Sequence, residues 1–319
     1  MLMADIRRAR VMDEKQHIAV IGAGMMGHGI ALTFARAGHC VALYDPSDEM
    51  RGTVTARIAD SLTLLGENDA AIAAALKKVT LHDTVAYAVH DAHFVFEAAP
   101  EKLELKQAIF AEIEANCPAN AILASNTSVI QISKIMAGLT NRHRALGTHW
   151  WNPPHLIPLV EVIKTEWTDP TLAQAMYDLL VDAGKTPAMV EKDVPGFIGN
   201  RLQHALWREA ISLVENGICS AQAVDDVVKA SFGRRLAVLG PLENADLVGI
   251  ELTQDIHAQV LSDLETTGAP SPYLQQLRDT GRDGMAAGAG FRDWAEGDLD
   301  ATKTRVAEHL KRLETILPS

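Results

Sequence analysis

Residues 17–45 read HIAVIGAGMMGHGIALTFARAGHCVALYD, and this stretch decides the fold. HIAVIG (17–22) is a short apolar run ending in glycine, the pattern of a buried strand. Gly22, Gly24 and Gly27 follow in GxGxxG spacing, with Met25 and Met26 inside the turn. GHGIALTFARAG (27–38) carries apolar residues at helical intervals, and CVALYD (40–45) is a second strand-like run. Glycines so placed permit a tight turn, close backbone approach to a pyrophosphate and close helix packing, and the helix N-terminus faces the anion. Asp45 ends the second run, 21 residues after Gly24. An acid there hydrogen-bonds ribose hydroxyls and repels a 2′-phosphate. Pro46 and Ser47 follow it, and no arginine stands beside it in the sequence. The expected cofactor is therefore NAD rather than NADP, held by Gly22, Gly24, Met25, Met26, Gly27 and Asp45.

Outward from this unit the alternation continues. Further strand-like runs are KVTLH (78–82), HFVFEAA (93–99), AILASNT (121–127), RALGTHWW (144–151), LVEVI (159–163) and TPAMVEK (186–192). LELKQAIFAEIEANC (103–117) is an amphipathic helix between two of them. Residues 47–77 have no strand signal and read as an inserted helical hairpin turning at GEND (66–69). The expectation is an α/β, Rossmann-type doubly wound sheet, mostly parallel, covering 1–193. Beyond DVPGFIGNR (193–201) the pattern turns helical, over 197–217, 220–233, 244–264 and 301–317. Residues 194–319 are expected to form an all-α substrate and dimerisation domain. GMAAGAGFRDWAEGD (284–298) is glycine-rich and reads as an irregular loop.

Composition narrows the class. The chain has 319 residues, enough for two domains, and its net charge of −12 argues against nucleic acid or an anionic membrane as partner. Three cysteines without CxxC spacing argue against a zinc site or a disulfide framework and fit a reducing cytoplasm. No run approaches the roughly 18 apolar residues of a membrane span. MLMADIRRARVMDEKQ (1–16) has no apolar core and carries Asp5, Asp13 and Glu14, so it reads as a frayed start rather than a targeting signal.

Chemistry is suggested by GTHWWNPPHLIPLVEVI (147–163), where His149 precedes Glu161 by twelve residues. Pro153, Pro154 and Pro158 rule out a helix between them, and the flanks read as strands. A glutamate inside an apolar strand needs a partner. A strand, a proline-stiffened loop and a returning strand would supply His149, a base poised near neutral pH.

With GAGMMG (22–27), FEAAPEKLELK (96–106), ASNTS (124–128), HWWNP (149–153), LVEVI (159–163), PGFIGNR (195–201), EAISLVENGI (209–218) and GPLENADLVGIE (240–251) in order, the chain resembles the L-3-hydroxyacyl-CoA dehydrogenase family along nearly its whole length. The resemblance implies that His149 takes the hydroxyl proton and that Glu161 orients and stabilises it. It implies that Ser128 and Asn200 hydrogen-bond the reacting oxygen, the latter from the second domain. It also implies that Glu101, Lys106 and Asn126 line the cofactor and that Trp151 and Asn152 lie at the substrate. One tryptophan of the Trp150–Trp151 pair is expected in the core and one at the cleft wall. Read without the resemblance, ASNTS is equally a strand-end turn and Asn200 a helix-start hydrogen-bonder.

Two departures concern the substrate. The hairpin tip, LLGENDAAI (64–72), is acidic where acyl-CoA members are commonly basic, and SFGRRLAVLGPLEN (231–244) is a longer loop with Arg234 and Arg235. That loop, with HWWNPPHLIPLVE (149–161), looks more like the branch acting on free hydroxy acids: L-gulonate 3-dehydrogenase (lambda-crystallin), carnitine dehydrogenase and a pyridine-carboxylate dehydrogenase. An arginine there would clamp a carboxylate, or the pair is simply solvated. The substrate is then a small hydroxy acid or an acyl-CoA, the metal requirement none, and the assembly a homodimer. A non-catalytic, crystallin-like role is the alternative.

Overall fold

The computed structural model describes residues 15–317, so the expectation for the first fourteen residues lies outside it. Eight strands form one sheet in the order β3-β2-β1-β4-β5-β6-β7-β8. They are β1 (His17–Ile21), β2 (Cys40–Tyr44), β3 (Val79–His82), β4 (Phe94–Glu97), β5 (Ile122–Ser125), β6 (Ala145–Trp150), β7 (Leu159–Lys164) and β8 (Thr186–Val190). All eight expected strands are present. Every neighbouring pair is parallel except β6 and β7, which run antiparallel. Pro187 falls in β8, an edge strand, where a missing N–H is tolerated.

Successive side chains of a strand point to opposite faces, and both faces are packed. Ile18, Val20, Phe94, Phe96 and Leu146 pack on one face beneath α1 (Met25–Arg36), α2 (Asp48–Leu65) and α7 (Pro170–Asp182). Ala19, Ile21, Val95, Leu123 and Ala145 pack on the other with α4 (Val85–Val89), α5 (Leu103–Asn116) and the short α6 (Ile132–Ile135). This double burial explains why the strands read as continuous apolar runs. The hairpin of 47–77 is α2 followed by α3 (Asp69–Leu76). Ser47 caps α2 by accepting from the Met50 amide, Gly66 closes it at φ 88°, and Asn68 caps α3 through the Ala71 amide. α7 goes beyond the helices read from the sequence, with Asp169 as N-cap and Pro170 in its first turn.

The chain divides into two compact units after Arg201. The first thus runs eight residues past the expected boundary at Asp193. The Ile198 and Gly199 amides donate to the Glu161 carboxylate and the Asn200 side chain donates to the Ser128 carbonyl, which fastens that extension to the sheet. The second unit, Leu202–Leu317, is helical. It takes most of α8 (Gly199–Glu215), then α9 (Ala221–Ala230), α10 (Pro241–Val248), α11 (Ile250–Val260), α12 (Pro272–Asp279) and α13 (Asp298–Ile316). The single helix expected over 244–264 is two, because Gly249 breaks it at φ 98°. Residues 284–298 hold a short 3₁₀ turn, Met285–Ala287, and isolated bridges, otherwise irregular as expected. Among the described residues of this unit, Leu277 is the one hydrophobic side chain that is buried. Leu242, Leu247 and Ile218 are 80%, 73% and 68% exposed.

Candidate active site

The glycine turn sits where β1 feeds α1. The Gly22 amide donates to the Tyr44 carbonyl at 2.7 Å, and Gly22 has φ 110°. A Cβ on Gly22 would lie 2.7 Å from the Ala98 carbonyl oxygen, and one on Gly27 would lie 1.7 Å from the Gly22 carbonyl oxygen. These two glycines are required by packing. Gly24 differs: nothing lies within 4 Å of the place its Cβ would take. A cradle closed behind and open in front fits a dinucleotide pyrophosphate at the start of α1. Met25 is 62% exposed on that open side, whereas Met26 packs partly against the core.

Asp45 lies at the end of β2, as expected. Its Oδ2 accepts from the Ala23 amide at 2.7 Å and its Oδ1 from the Ser47 amide at 2.9 Å. The expectation of no neighbouring arginine is corrected by the fold. Arg51, on the second turn of α2, donates to the Asp45 carbonyl oxygen, and Arg57 donates to the Ala23 carbonyl at 2.8 Å.

Beyond β4 and β5 stands a wall of linked polar groups. Glu97 is fully buried and accepts from Lys106 Nζ at 2.7 Å, the Ser125 hydroxyl at 2.6 Å and the Ala99 amide at 2.6 Å. Burial pushes the Glu97 carboxyl up, against the pull of Lys106, Ser125 and Ala99. Lys106 also donates to the carbonyls of Ala99 and Asn126. Its side chain has no exposed surface, so it stands behind the wall rather than on it. Glu101 accepts from the Thr127 hydroxyl and from the Ser128 and Val129 amides. Burial raises its carboxyl, but Thr127, Lys106 and those amides outweigh it and hold the group below its usual range. Asn126 accepts from the Trp150 amide at 3.2 Å, joining this wall to β6.

His149 and Glu161 face each other directly across the β6–β7 ladder. His149 Nδ1 lies 2.6 Å from Glu161 Oε2, with both side chains at most 4% exposed. The other carboxylate oxygen accepts from the Ile198 amide at 2.8 Å and the Gly199 amide at 3.0 Å, at the start of α8. Burial raises the Glu161 carboxyl, yet the bonds from His149, Gly199 and Ile198 prevail and hold it below its ordinary value. Charged Glu161 fixes the proton of a neutral imidazole on Nδ1 and leaves Nε2 as the basic nitrogen. The rings of Trp151 and Phe197 flank His149 at 5.3 and 5.5 Å. Phe197 holds φ 51°, unusual for a residue with a side chain. A Cβ on Gly199 would lie 2.4 Å from the Trp151 ring.

Asn200 is buried, and its amide nitrogen donates to the Ser128 carbonyl oxygen at 2.9 Å. Ser128 is exposed and clamped on both backbone groups, by Glu101 at its amide and Asn200 at its carbonyl. The segment 198–200 therefore touches both the dyad and the Ser128 loop. It does so from within the first compact unit.

Family models match almost all of this chain. Residues 17–194 match the NAD binding domain of 3-hydroxyacyl-CoA dehydrogenase, and residues 196–294 match its C-terminal domain. The chain belongs to the 3-hydroxyacyl-CoA dehydrogenase family. It is accordingly an NAD-dependent oxidoreductase. It is 32% identical over 302 residues to 5-formyl-3-hydroxy-2-methylpyridine 4-carboxylate 5-dehydrogenase of Mesorhizobium japonicum, covering 94% of this chain and 97% of that protein. It is 36% identical over 239 residues to L-carnitine dehydrogenase of Streptomyces griseus, covering 75% and 71% of the two chains. A crystal structure of a 5-formyl-3-hydroxy-2-methylpyridine 4-carboxylic acid 5-dehydrogenase, an NAD+-dependent dismutase, superposes with a TM-score of 0.87 at 31% identity. The match covers 95% of this chain and 98% of that one.

In this member of the family the loop joining β6 to β7 is seated on α1. A Cβ on Gly29 would lie 2.4 Å from the Pro154 ring, and Lys185 donates to the carbonyls of Pro154 and Ile157. Trp150 is 2% exposed and packs edge-on against Phe34 and Phe96, whereas Trp151 lies beside His149. Asn152 is exposed on the loop. His155 Nδ1 is buried without a hydrogen-bond partner. Burial, with the nearby His28 and Lys185, lowers the His155 pKa to about 4. Arg234 and Arg235 are exposed in the second unit, where the 3₁₀ turn Phe232–Arg234 follows α9. Sequence reading missed Glu97, Arg51, His28 and His155. Glu97 had a signal, being a carboxylate ending an apolar strand just as Glu161 interrupts one.

Proposed function

We propose that this enzyme oxidises a secondary alcohol β to a carboxylate or carboxyl derivative, with a small free hydroxy acid preferred over an acyl-CoA. The observation that carries the reading is the buried His149–Glu161 pair, with Glu161 fixed from behind by two amides. His149 Nε2 takes the hydroxyl proton, and Glu161 stabilises the imidazolium that forms. When bound, NAD supplies the hydride acceptor. Gly22, Gly24, Met25, Met26, Gly27 and Asp45 hold it, with Glu101 and Asn126 on the facing wall and Lys106 supporting both. Ser128 and Asn200 donate to the substrate oxygen as its charge changes; Asn200 has a second N–H for this beyond the one given to Ser128.

Trp151 and Asn152 shape the substrate side, and Arg234 or Arg235 clamps the carboxylate. Supporting the free acid are the acidic turn of the hairpin and the names of the similar proteins, which act on carnitine and a pyridine carboxylate. In functional terms residues 1–193 serve the cofactor and 194–319 the substrate and self-association. The bare apolar faces of α10, α11 and α13, which bury no residue, support a homodimer. No helix among the described residues is long and apolar enough to cross a membrane, and a cytoplasmic location fits the reduced cysteines. Steady-state rates with acetoacetyl-CoA against a panel of free 3-hydroxy acids test the reading. Turnover of a free acid with the larger kcat/KM is expected, and turnover of the thioester alone overturns the preference.

A further inference from the structure

Strands β4 and β5 stop in register, Glu97 opposite Ser125, and the Asn126 amide adds one last bond to the Glu97 carbonyl at 2.7 Å. Past that point residues 98–101 and 126–129 are joined by side chains instead of a ladder. Glu97 Oε1 accepts from Lys106 and the Ala99 amide, and Oε2 accepts from the Ser125 hydroxyl. An ammonium has three N–H donors. Those of Lys106 go to Glu97 at 2.7 Å, the Ala99 carbonyl at 3.2 Å and the Asn126 carbonyl at 3.0 Å. None is left for a cofactor, and neither side chain of the pair has exposed surface. Each joined segment also touches one half of the site. The Ala98 amide donates to the Ile21 carbonyl at 2.8 Å, and the Ala98 carbonyl closes the space behind Gly22. Asn126 accepts from the Trp150 amide, next to His149, and Ser128 follows two residues on.

We propose that Glu97 and Lys106 are positioning residues, a buried staple that sets the spacing between the glycine turn of Gly22–Gly27 and the Asn126–Ser128 segment. The inference rests on the reading of His149 and Glu161 as the proton-handling pair, with Ser128 at the substrate. Charge alone does not account for the staple. Opposite charges 2.7 Å apart largely cancel at a distance, so little field reaches the reacting atoms. Two buried ions are also a poor source of stability, because a well-packed apolar pair of similar volume often does as well. What the ions supply is direction. One ammonium fixes two carbonyls on different segments, which no apolar side chain can do. Hydride transfer depends on that spacing, since a displacement of about 1 Å can cost about a hundredfold in rate.

The test is the double variant Glu97→Gln with Lys106→Met in the full chain, which removes both charges and leaves no lone buried ion. Rates are measured with whichever of acetoacetyl-CoA and the free 3-hydroxy acids wild type turns over fastest. NADH Kd comes from tryptophan fluorescence, and folding from thermal melts. The variant should fold and bind NADH within about threefold of wild type, because Gly22, Gly27 and Asp45 are untouched. Its kcat should fall about a hundredfold while the substrate KM moves little. The pH at half-maximal kcat should stay in place, because His149 and Glu161 keep their own partners. A folded double variant with kcat within about threefold of wild type overturns the proposal. So does a fall in kcat matched by an equal loss of NADH affinity, which marks a binding role. A fall with a shifted pH midpoint overturns it too, because it marks a role through charge. If the double variant does not fold, Ser125→Ala replaces it. Losing the hydroxyl on Glu97 Oε2 should lower kcat about fivefold at unchanged NADH Kd, and wild-type kcat there overturns the proposal. Wild-type kcat in His149→Gln refutes the dyad reading instead, and the proposal falls with it.

Discussion

Replacing Glu161 by Gln removes one negative charge from the dyad and little volume. The carboxylate spends Oε1 on the Ile198 and Gly199 amides and Oε2 on His149 Nδ1. A glutamine that keeps its oxygen on the two amides must turn its NH2 toward His149. Nδ1 then accepts, the ring proton moves to Nε2, and the basic nitrogen no longer faces the substrate. The imidazolium formed during oxidation also loses its counter-charge. At about 4 Å between charge centres and an effective dielectric near 20, that loss is about 4 kcal/mol. It corresponds to roughly a thousandfold in kcat. NADH formation followed by absorbance across pH is the assay, with NADH affinity from tryptophan fluorescence as the control for folding. Glu161→Gln with kcat within about threefold of wild type at the pH optimum, where the loss should be near its full size, would refute the reasoning.

Gly24→Ala separates binding from folding. Its Cβ enters open space, so stability should fall by less than about 1 kcal/mol while NADH Kd rises at least about tenfold; thermal melts with and without NADH check both. His155 makes the fold acid-sensitive. Its folded pKa, about 4, lies below the unfolded value of 6.5, so the unfolded chain binds the proton more readily and stability is lost as pH falls from about 6.5 through 4. His155→Gln should shrink the difference between urea midpoints measured at neutral and at acid pH.

The eight strands were legible because burial on both faces leaves unbroken apolar runs, and the glycine turn because Gly22 and Gly27 answer a packing demand while Gly24 keeps the front of the turn open. The dyad was legible for the opposite reason: LVEVI has no place for a lone carboxylate. Other features depend on contacts that sequence spacing does not encode. Asn200 meets Ser128 across 72 positions, and Arg51 meets Asp45 only because α2 folds back over the end of β2. Lys106 shows the limit of motif reading, since its place in a pattern located the residue but not the fact that it is sealed behind the wall. Residues 198–200 pack onto the sheet for a similar reason, through hydrogen bonds that composition does not show.

The antiparallel ladder that sets His149 opposite Glu161 also separates two kinds of heritable change. A slip of one residue in the β6–β7 pairing would turn Glu161 to the other face and erase the base, so the ladder itself tolerates no drift. Residues 151–158 hang from it as a connecting loop, outside the register. Its exposed positions, such as Asn152, can be rewritten while the proton-handling pair stays where it is. A lineage can therefore change what it oxidises by editing one loop, without having to reinvent how it oxidises.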